Sequence, residues 1–227
     1  LVGVLGIEAD VDLGRAWLFG PLIDHEAWDV ISDRLYSAVM PAIPAGVYEH
    51  ELFCDAGNLH CQAFARRHAF PLHGEAAILN FPRERLASVP DATAPELEAR
   101  HFDAFQTLHS RLFPRTGYSA QQIVDRRGDT RTFVVDGDGL QGYIVCKVEP
   151  AAGEGYIDYI GVAETARRGG IGRRLLAAAL RWMFSYPAIQ HVDLTVTTTN
   201  EAALALYTAL GFDQERIMRA FRKQVSV

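Results

Sequence analysis

The sequence predicts an α/β chain of the α+β kind, built from two related folds in tandem, the first of them truncated. Three observations carry that expectation. A strand runs into a glycine-rich turn that opens a helix between Gly155 and Phe184. The element order β-β-α-β-α-β can be read twice, before and after a middle segment. A proline-bearing stretch, Pro82 to Glu96, separates the two readings. The expected boundaries are a first fold over 1–83, a linker over 84–97 and a second fold over 98–227.

In chain order, Leu1 to Glu8 and Arg15 to Ile23 read as strands. His25 to Met40 places Trp28, Val30, Ile31, Leu35 and Val39 at helical spacing. Val47 to Cys54 is rich in β-formers, Asn58 to His68 is a second helix, and Glu75 to Asn80 a further strand. After the linker, Pro95 starts an amphipathic helix over Glu96 to Phe113, with Phe102, Phe105, Leu108 and Leu112 on one side. Ser119 caps a short helix to Arg126. Thr130 to Val135 and Leu140 to Val148 form a hairpin through Asp136-Gly-Asp-Gly139. The strand Tyr156 to Val162, the helix Ile171 to Phe184, the strand His191 to Thr197 and a helix from Asn200 complete the run.

An offset of 142 positions aligns the two readings. Asn58 meets Asn200, Cys61 meets Ala203, Phe64 meets Leu206, Phe70 meets Phe212 and Gly20 falls on Val162. The same offset sets Trp28 on Gly170, Val30 on Gly172 and Ala65 on Tyr207. The first loop, Ile23 to Trp28, therefore lacks the glycines and carries Asp24 and Glu26.

The glycine turn in the second reading is an anion site. The first N–H groups of a helix have no partner inside it, and the macrodipole adds partial positive charge there. Glycines let backbone amides approach a phosphate closely. Arg167, Arg168, Arg173 and Arg174 surround Gly169, Gly170, Ile171 and Gly172, so a diphosphate is the expected guest. A dinucleotide fingerprint, G-x-G-x-x-G, fails at Leu175, and Asp193 opens the following strand instead of closing it.

Arg167-x-x-Gly170-x-Gly172 followed by Asn200-x-x-Ala203-x-x-Leu206-Tyr207-x-x-x-Gly211-Phe212 resembles the signature of the GNAT superfamily of acetyl-CoA-dependent N-acyltransferases. The resemblance covers about Glu96 onward, and the doubled order is similar to tandem GNAT proteins of the mycothiol synthase-like type. It implies mixed, mostly antiparallel sheets flanked by helices. It also implies transfer of an acetyl group from acetyl-CoA to a primary amine of a small molecule, by direct attack in a ternary complex. A non-catalytic acyl-CoA-binding module and a protein N-acetyltransferase are the alternatives.

By the same resemblance, Ile160, Gly161 and Val162 offer backbone groups to the pantetheine arm, and the Val162 N–H faces the thioester oxygen. Tyr207 protonates the departing thiolate, while Asn200 and Ala203 contact the coenzyme. The places where relatives carry a glutamate base hold Tyr156 and Thr195. Glu154 and Asp158 lie nearby, and neither is assigned. Tyr118, His101 and His109 are candidates for the acceptor cleft. The first fold, by its altered loop, is not expected to bind acetyl-CoA; it packs against the second and shapes the cleft.

A formal net charge of −6 argues against a nucleic-acid surface. No apolar run approaches the ~20 residues that span a bilayer, and no metal motif is present. Three cysteines in apolar contexts read as buried thiols, which points to the cytoplasm. A monomer or homodimer is expected, as is a segment preceding Leu1.

Overall fold

The computed structural model describes residues 2–126 and 128–225, which form nine strands and six helices. They divide into two compact units, Leu1–Ala77 with Arg216–Val227, and Ile78–Glu215.

In the first unit, β1 (Gly3–Asp10) pairs antiparallel with β2 (Arg15–Ile23), and β2 pairs parallel with β3 (Glu49–Asp55). The far edge of β3 takes residues 218–224 of β9 (Asp213–Gln224) antiparallel. Helices α1 (Trp28–Val39) and α2 (Leu59–Arg67) cover one face. There Leu18, Leu52, Cys54 and Phe221, alternate residues of their strands, pack with Trp28, Tyr36, Cys61 and Phe64. β4 (Leu72–Pro82) leads out of this unit.

In the second unit, β5 (Thr130–Gly137), β6 (Gly139–Glu149) and β7 (Glu154–Val162) form an antiparallel meander. β7 then pairs parallel with β8 (His191–Thr197). Helices α3 (Phe102–Leu112) and α4 (Ala120–Asp125) pack on one face through Phe105, Leu108, Ile123, Tyr143 and Val145. Helix α5 (Ile171–Phe184) takes the other. A Cβ on Gly142 would meet Ile171 and Leu175 of α5 at 2.9 and 3.3 Å, whereas one on Gly161 would meet Leu112 of α3 and Tyr143 at 2.7 and 2.8 Å. Helix α6 (Glu201–Leu210) lies close to the start of α5.

The expected element orders stand in both units, but the boundaries differ from 1–83 and 98–227. Residues 216–224 join the first unit because they complete its ladder at β3. The expected linker, 84–97, is strapped to the second unit. Arg181 donates to the Val89 and Pro90 carbonyls at 2.6 and 3.0 Å, Arg174 donates to Thr93 O at 3.0 Å, and the Val134 N–H donates to Pro95 O at 2.9 Å. The Leu97 N–H donates to Thr132 O, which holds residues 96–98 extended and delays α3 past its expected start at Glu96.

Each unit carries a parallel strand pair joined through a helix, then a helix capped by asparagine. Asn58 accepts from the Cys61 N–H at 2.9 Å, and Asn200 accepts from the Ala203 N–H at 3.2 Å. The offset of 142 holds over β3 and α2 but not before them. The ladders set Leu18 of β2 in the place of Ile157 in β7, an offset of 139, so Gly20 does not fall on Val162. Trp28 is the first helical residue of α1, as Ile171 is of α5; the counterpart of Gly170 is Ala27.

Candidate functional site

Parallel pairing between β7 and β8 ends at Ile157 and Leu194, although β7 continues to Val162 and β8 to Thr197. The two strands splay, and the space between them opens into a cavity of about 740 Å³, in the usual range for small-molecule sites, roughly 300–1,000 Å³. Ile160, Val162, Arg167, Arg168, Gly170, Ile171, Gly172, Arg173, Asn200, Ala203 and Tyr207 line it.

Two expected residues do not line it, for one reason each. Gly161 turns its carbonyl toward Gly142 on β6, and its missing side chain makes room for the Tyr143 ring, not for a ligand. Gly169 shapes the turn from behind, 3.3 Å from the Ala166 carbonyl at its Cβ position. The Ala163 N–H donates to Gln141 O on β6 at 2.8 Å. Alternation along the strand therefore turns the Ile160 and Val162 backbone groups to the open edge and those of Gly161 to β6.

At the other end of the cavity Gly170 adopts a left-handed conformation (φ 78°) as N-cap of α5, and no side chain caps that helix. A Cβ at Gly170 would meet nothing within 4 Å of protein, so the space over the turn is open. Arg168 is also left-handed (φ 64°). Among the described residues Arg167, Arg168 and Arg173 have no ion-pair partner. Uncapped amides, a helix dipole and unneutralised guanidinium groups converge on one spot, which makes it an anion cradle. In the first unit Ala27 takes this place at φ −79°, without the left-handed turn. The Trp28 ring there lies 5.1 Å from His60 and 6.4 Å from Phe64, inside the core.

Tyr207 sits on α6 with its ring edge against Phe212, 5.8 Å between centroids. It is 5 % exposed, and burial pushes its phenol up to about 12. The hydroxyl therefore holds its proton at neutral pH and faces the cavity as a hydrogen-bond donor.

The expected acceptor residues are placed elsewhere. His101 accepts the Glu98 N–H at Nδ1 and donates from Nε2 to Asp136 at 2.9 Å, a packing role at the start of α3. His109 donates from Nε2 to the Tyr118 carbonyl at 2.9 Å, which leaves Nδ1 to accept from the Tyr143 hydroxyl at 2.7 Å. Burial lowers its pKa. Tyr118 lies under the Arg126 guanidinium, 4.3 Å from the ring centroid. None of the three lines the cavity. Phe113, Asp158, Tyr159 and Thr195 line it instead. Phe113 ends α3, and Tyr159 is brought in by a β-bulge in β7, a feature that depends on the partner strand and leaves no local mark in the sequence. Of the two possible bases, Asp158 lines the cavity and Glu154 does not.

Among the described residues no three or more His, Cys, Asp and Glu side chains are grouped to hold a metal ion. No helix among them is long and apolar enough to cross a membrane.

The fold and the motifs have known counterparts. Over its full length the chain matches a tandem GNAT protein from the clavulanic acid biosynthesis pathway (TM-score 0.73, 17 % identity, 80 % of that chain). It also matches a GCN5-related N-acetyltransferase from Sphaerobacter thermophilus (TM-score 0.73, 15 % identity, 98 % of this chain and 76 % of that one). At such identities the likeness is one of fold. In sequence, 184 residues are 33 % identical to a mycothiol acetyltransferase of Acidothermus cellulolyticus, covering 66 % of this chain and 55 % of that protein. A further 100-residue match, 32 % identical, is to an N-alpha-acetyltransferase of Sulfurisphaera tokodaii, covering 39 % of this chain and 60 % of that protein. The chain spans about half the length of the mycothiol acetyltransferases it matches, from 40 % to 55 %. Residues 94–212, which hold the splayed strands, the glycine turn and Tyr207, match the model of the acetyltransferase (GNAT) family, and the chain belongs to that family.

Proposed function

We propose that this protein transfers an acetyl group from acetyl-CoA to the amine of a small molecule, and that the unit Ile78–Glu215 carries the reaction. The observation that supports this most directly is the left-handed, uncapped turn at Gly170, which opens into the same cavity as the freed edge of β7 and Tyr207. The residues fit the coenzyme: the amides of Ile171, Gly172 and Arg173 would hold its diphosphate, and Ile160 and Val162 its pantetheine arm. Acetyl-CoA supplies the acetyl group as a thioester.

The chain's own groups do the rest. The Val162 N–H, aimed at the open edge, stabilises the oxygen on which negative charge develops. Tyr207 gives its proton to the departing sulfur. No cysteine lines the cavity, in keeping with direct attack by the amine. The shared local order of the two units supports an internal duplication whose first copy has lost its coenzyme turn at Ala27 and Trp28. The buried free thiols fit a cytoplasmic setting.

The relatives named mycothiol acetyltransferases favour a small-molecule acceptor; the one named an N-alpha-acetyltransferase supports a protein amino terminus as the second reading. A thermal-shift titration tests the coenzyme: acetyl-CoA should raise the melting temperature and NAD should not. Thiol release above background with a panel of small amines, and not with peptide amino termini, supports the proposed acceptor class. Binding without turnover on either set would make the chain an acyl-CoA-binding module.

A further inference from the structure

Strand β7 holds one residue more than β6 can match. The register runs Tyr156 opposite Lys147 and Ile157 opposite Cys146, then resumes with Tyr159 opposite Val145. Asp158 is the extra residue, bulged out of the ladder one step beyond the last pair that β7 makes with β8. The bulge thus stands where the two strands part, in the wall of the coenzyme cavity. Its side chain is only 9 % exposed. One carboxylate oxygen lies 3.3 Å from Arg126 Nη1, at the end of α4, and the other 3.7 Å from Lys147 Nζ on β6. Both separations exceed the ~2.7–2.9 Å of a tight charge-assisted bond. Two cations therefore hold the group in place while its oxygens, with about four lone-pair sites between them, keep room for another donor.

Tyr156, Thr195 and Glu154, the nearby alternatives, are engaged elsewhere. Tyr156 and Thr195 are hydrogen-bonded to each other at 2.7 Å. Glu154 begins β7, is 55 % exposed and lies 3.8 Å from His191, away from the cavity.

We propose that Asp158 is the catalytic residue that takes the proton from the attacking amine, with Arg126 and Lys147 as its positioning residues. This rests on the acetyltransferase reading above. As the C–N bond forms and the C–S bond breaks, the nitrogen becomes cationic and far more acidic than a free amine, so a carboxylate suffices to receive its proton. The sulfur receives the Tyr207 proton. Water then takes the proton from Asp158 and restores the one on Tyr207, and the charges close.

The groups facing Asp158 are Arg126 from α4, Lys147 and Cys146 from β6, and Tyr156 and Tyr159 from β7 itself. Burial raises its pKa above the ordinary aspartate value, and the two cations oppose that rise without cancelling it. Activity should therefore fall on the acid side at a pH above that of an ordinary aspartate. Removing Lys147 removes an opposing charge and should move that limb to still higher pH.

The test uses the full chain with acetyl-CoA and a panel of glycinamide, glucosamine and benzylamine. Asp158→Asn should lower kcat/KM by ~10²–10⁴-fold and flatten the acid limb, with acetyl-CoA affinity by calorimetry unchanged; Asp158→Glu should recover part of the loss. If Asp158→Asn does not fold, Lys147→Met decides, by the upward move of the limb and of the Asp158 carboxyl ¹³C titration. Wild-type turnover with Asp158→Asn within about threefold of it, or an acid limb and carboxyl titration that Lys147→Met leaves in place, would overturn the proposal alone. Coenzyme binding by the wild type with no turnover on any panel amine would overturn the acetyltransferase reading and this proposal together.

Discussion

Burial raises the Tyr207 phenol to about 12, so the hydroxyl carries its proton across the neutral range, as the proposed donor role requires. Tyr207→Phe should reduce kcat by ~10²–10⁴-fold, with acetyl-CoA affinity by calorimetry nearly unchanged. Weakened binding at undiminished turnover would make Tyr207 a wall of the cavity and no more. His109 shows the opposite use of burial. It bridges the Tyr118 carbonyl and the Tyr143 hydroxyl, so His109→Phe leaves both without a partner and should cost about 1–3 kcal/mol by chemical denaturation. Because its folded-state pKa is depressed, its contribution is complete above the unfolded value near ~6.5 and is lost as pH falls through that value. The stability gap between wild type and His109→Phe should shrink between pH 7 and pH 5. A gap that widens in acid would show that His109 is charged in the fold. The position of Tyr207 in the cavity wall was legible because motif and helix are both local. The buried role of His109 was not, since its partners lie on a loop and on β6.

The elements that form the site were readable where the information is local. The limits of α5 and β8 match the expected ones, and both asparagine caps stand where the spacing puts them. These caps allow a paired comparison. Asn58→Ala and Asn200→Ala should each destabilise by about 1 kcal/mol, yet only Asn200→Ala, at the cavity, should weaken acetyl-CoA binding. Equal loss of affinity in both would contradict the assignment of the site to one unit. Gly170→Ala meets no atom within 4 Å and so tests the backbone alone. It should cost about 1–2 kcal/mol for the left-handed turn and weaken acetyl-CoA through the displaced amides. The elements that sequence reading misplaced depend on distant partners. The bulge at Asp158 arises from register with β6, and the late start of α3 from the bond between Leu97 and Thr132.

At the level of the whole molecule, two related orders were legible because each is a run of local patterns, whereas the division of the chain was not. Residues 216–224 belong with residues 1–77 through pairing that no local pattern announces. A fragment of residues 1–83 therefore lacks a strand of its own sheet. It should give poorly dispersed amide spectra and rapid hydrogen exchange, and addition of a peptide of residues 213–225 should restore protection at β3. A well-folded isolated fragment would show that the β3 ladder is dispensable. Calorimetry on the intact chain should find one acetyl-CoA per chain, since Ala27 and Trp28 replace the glycine turn in the first unit.

The bond between Gln224 and Glu49 joins residues 175 apart. During synthesis at ~5–20 residues per second, β3 leaves the ribosome roughly 9–35 s before its β9 neighbour exists. For that interval the nascent chain exposes a bare strand edge able to recruit the same edge of another nascent copy. Its yield in cells is expected to respond to translation speed and chaperone supply as well as to the stability of the finished fold.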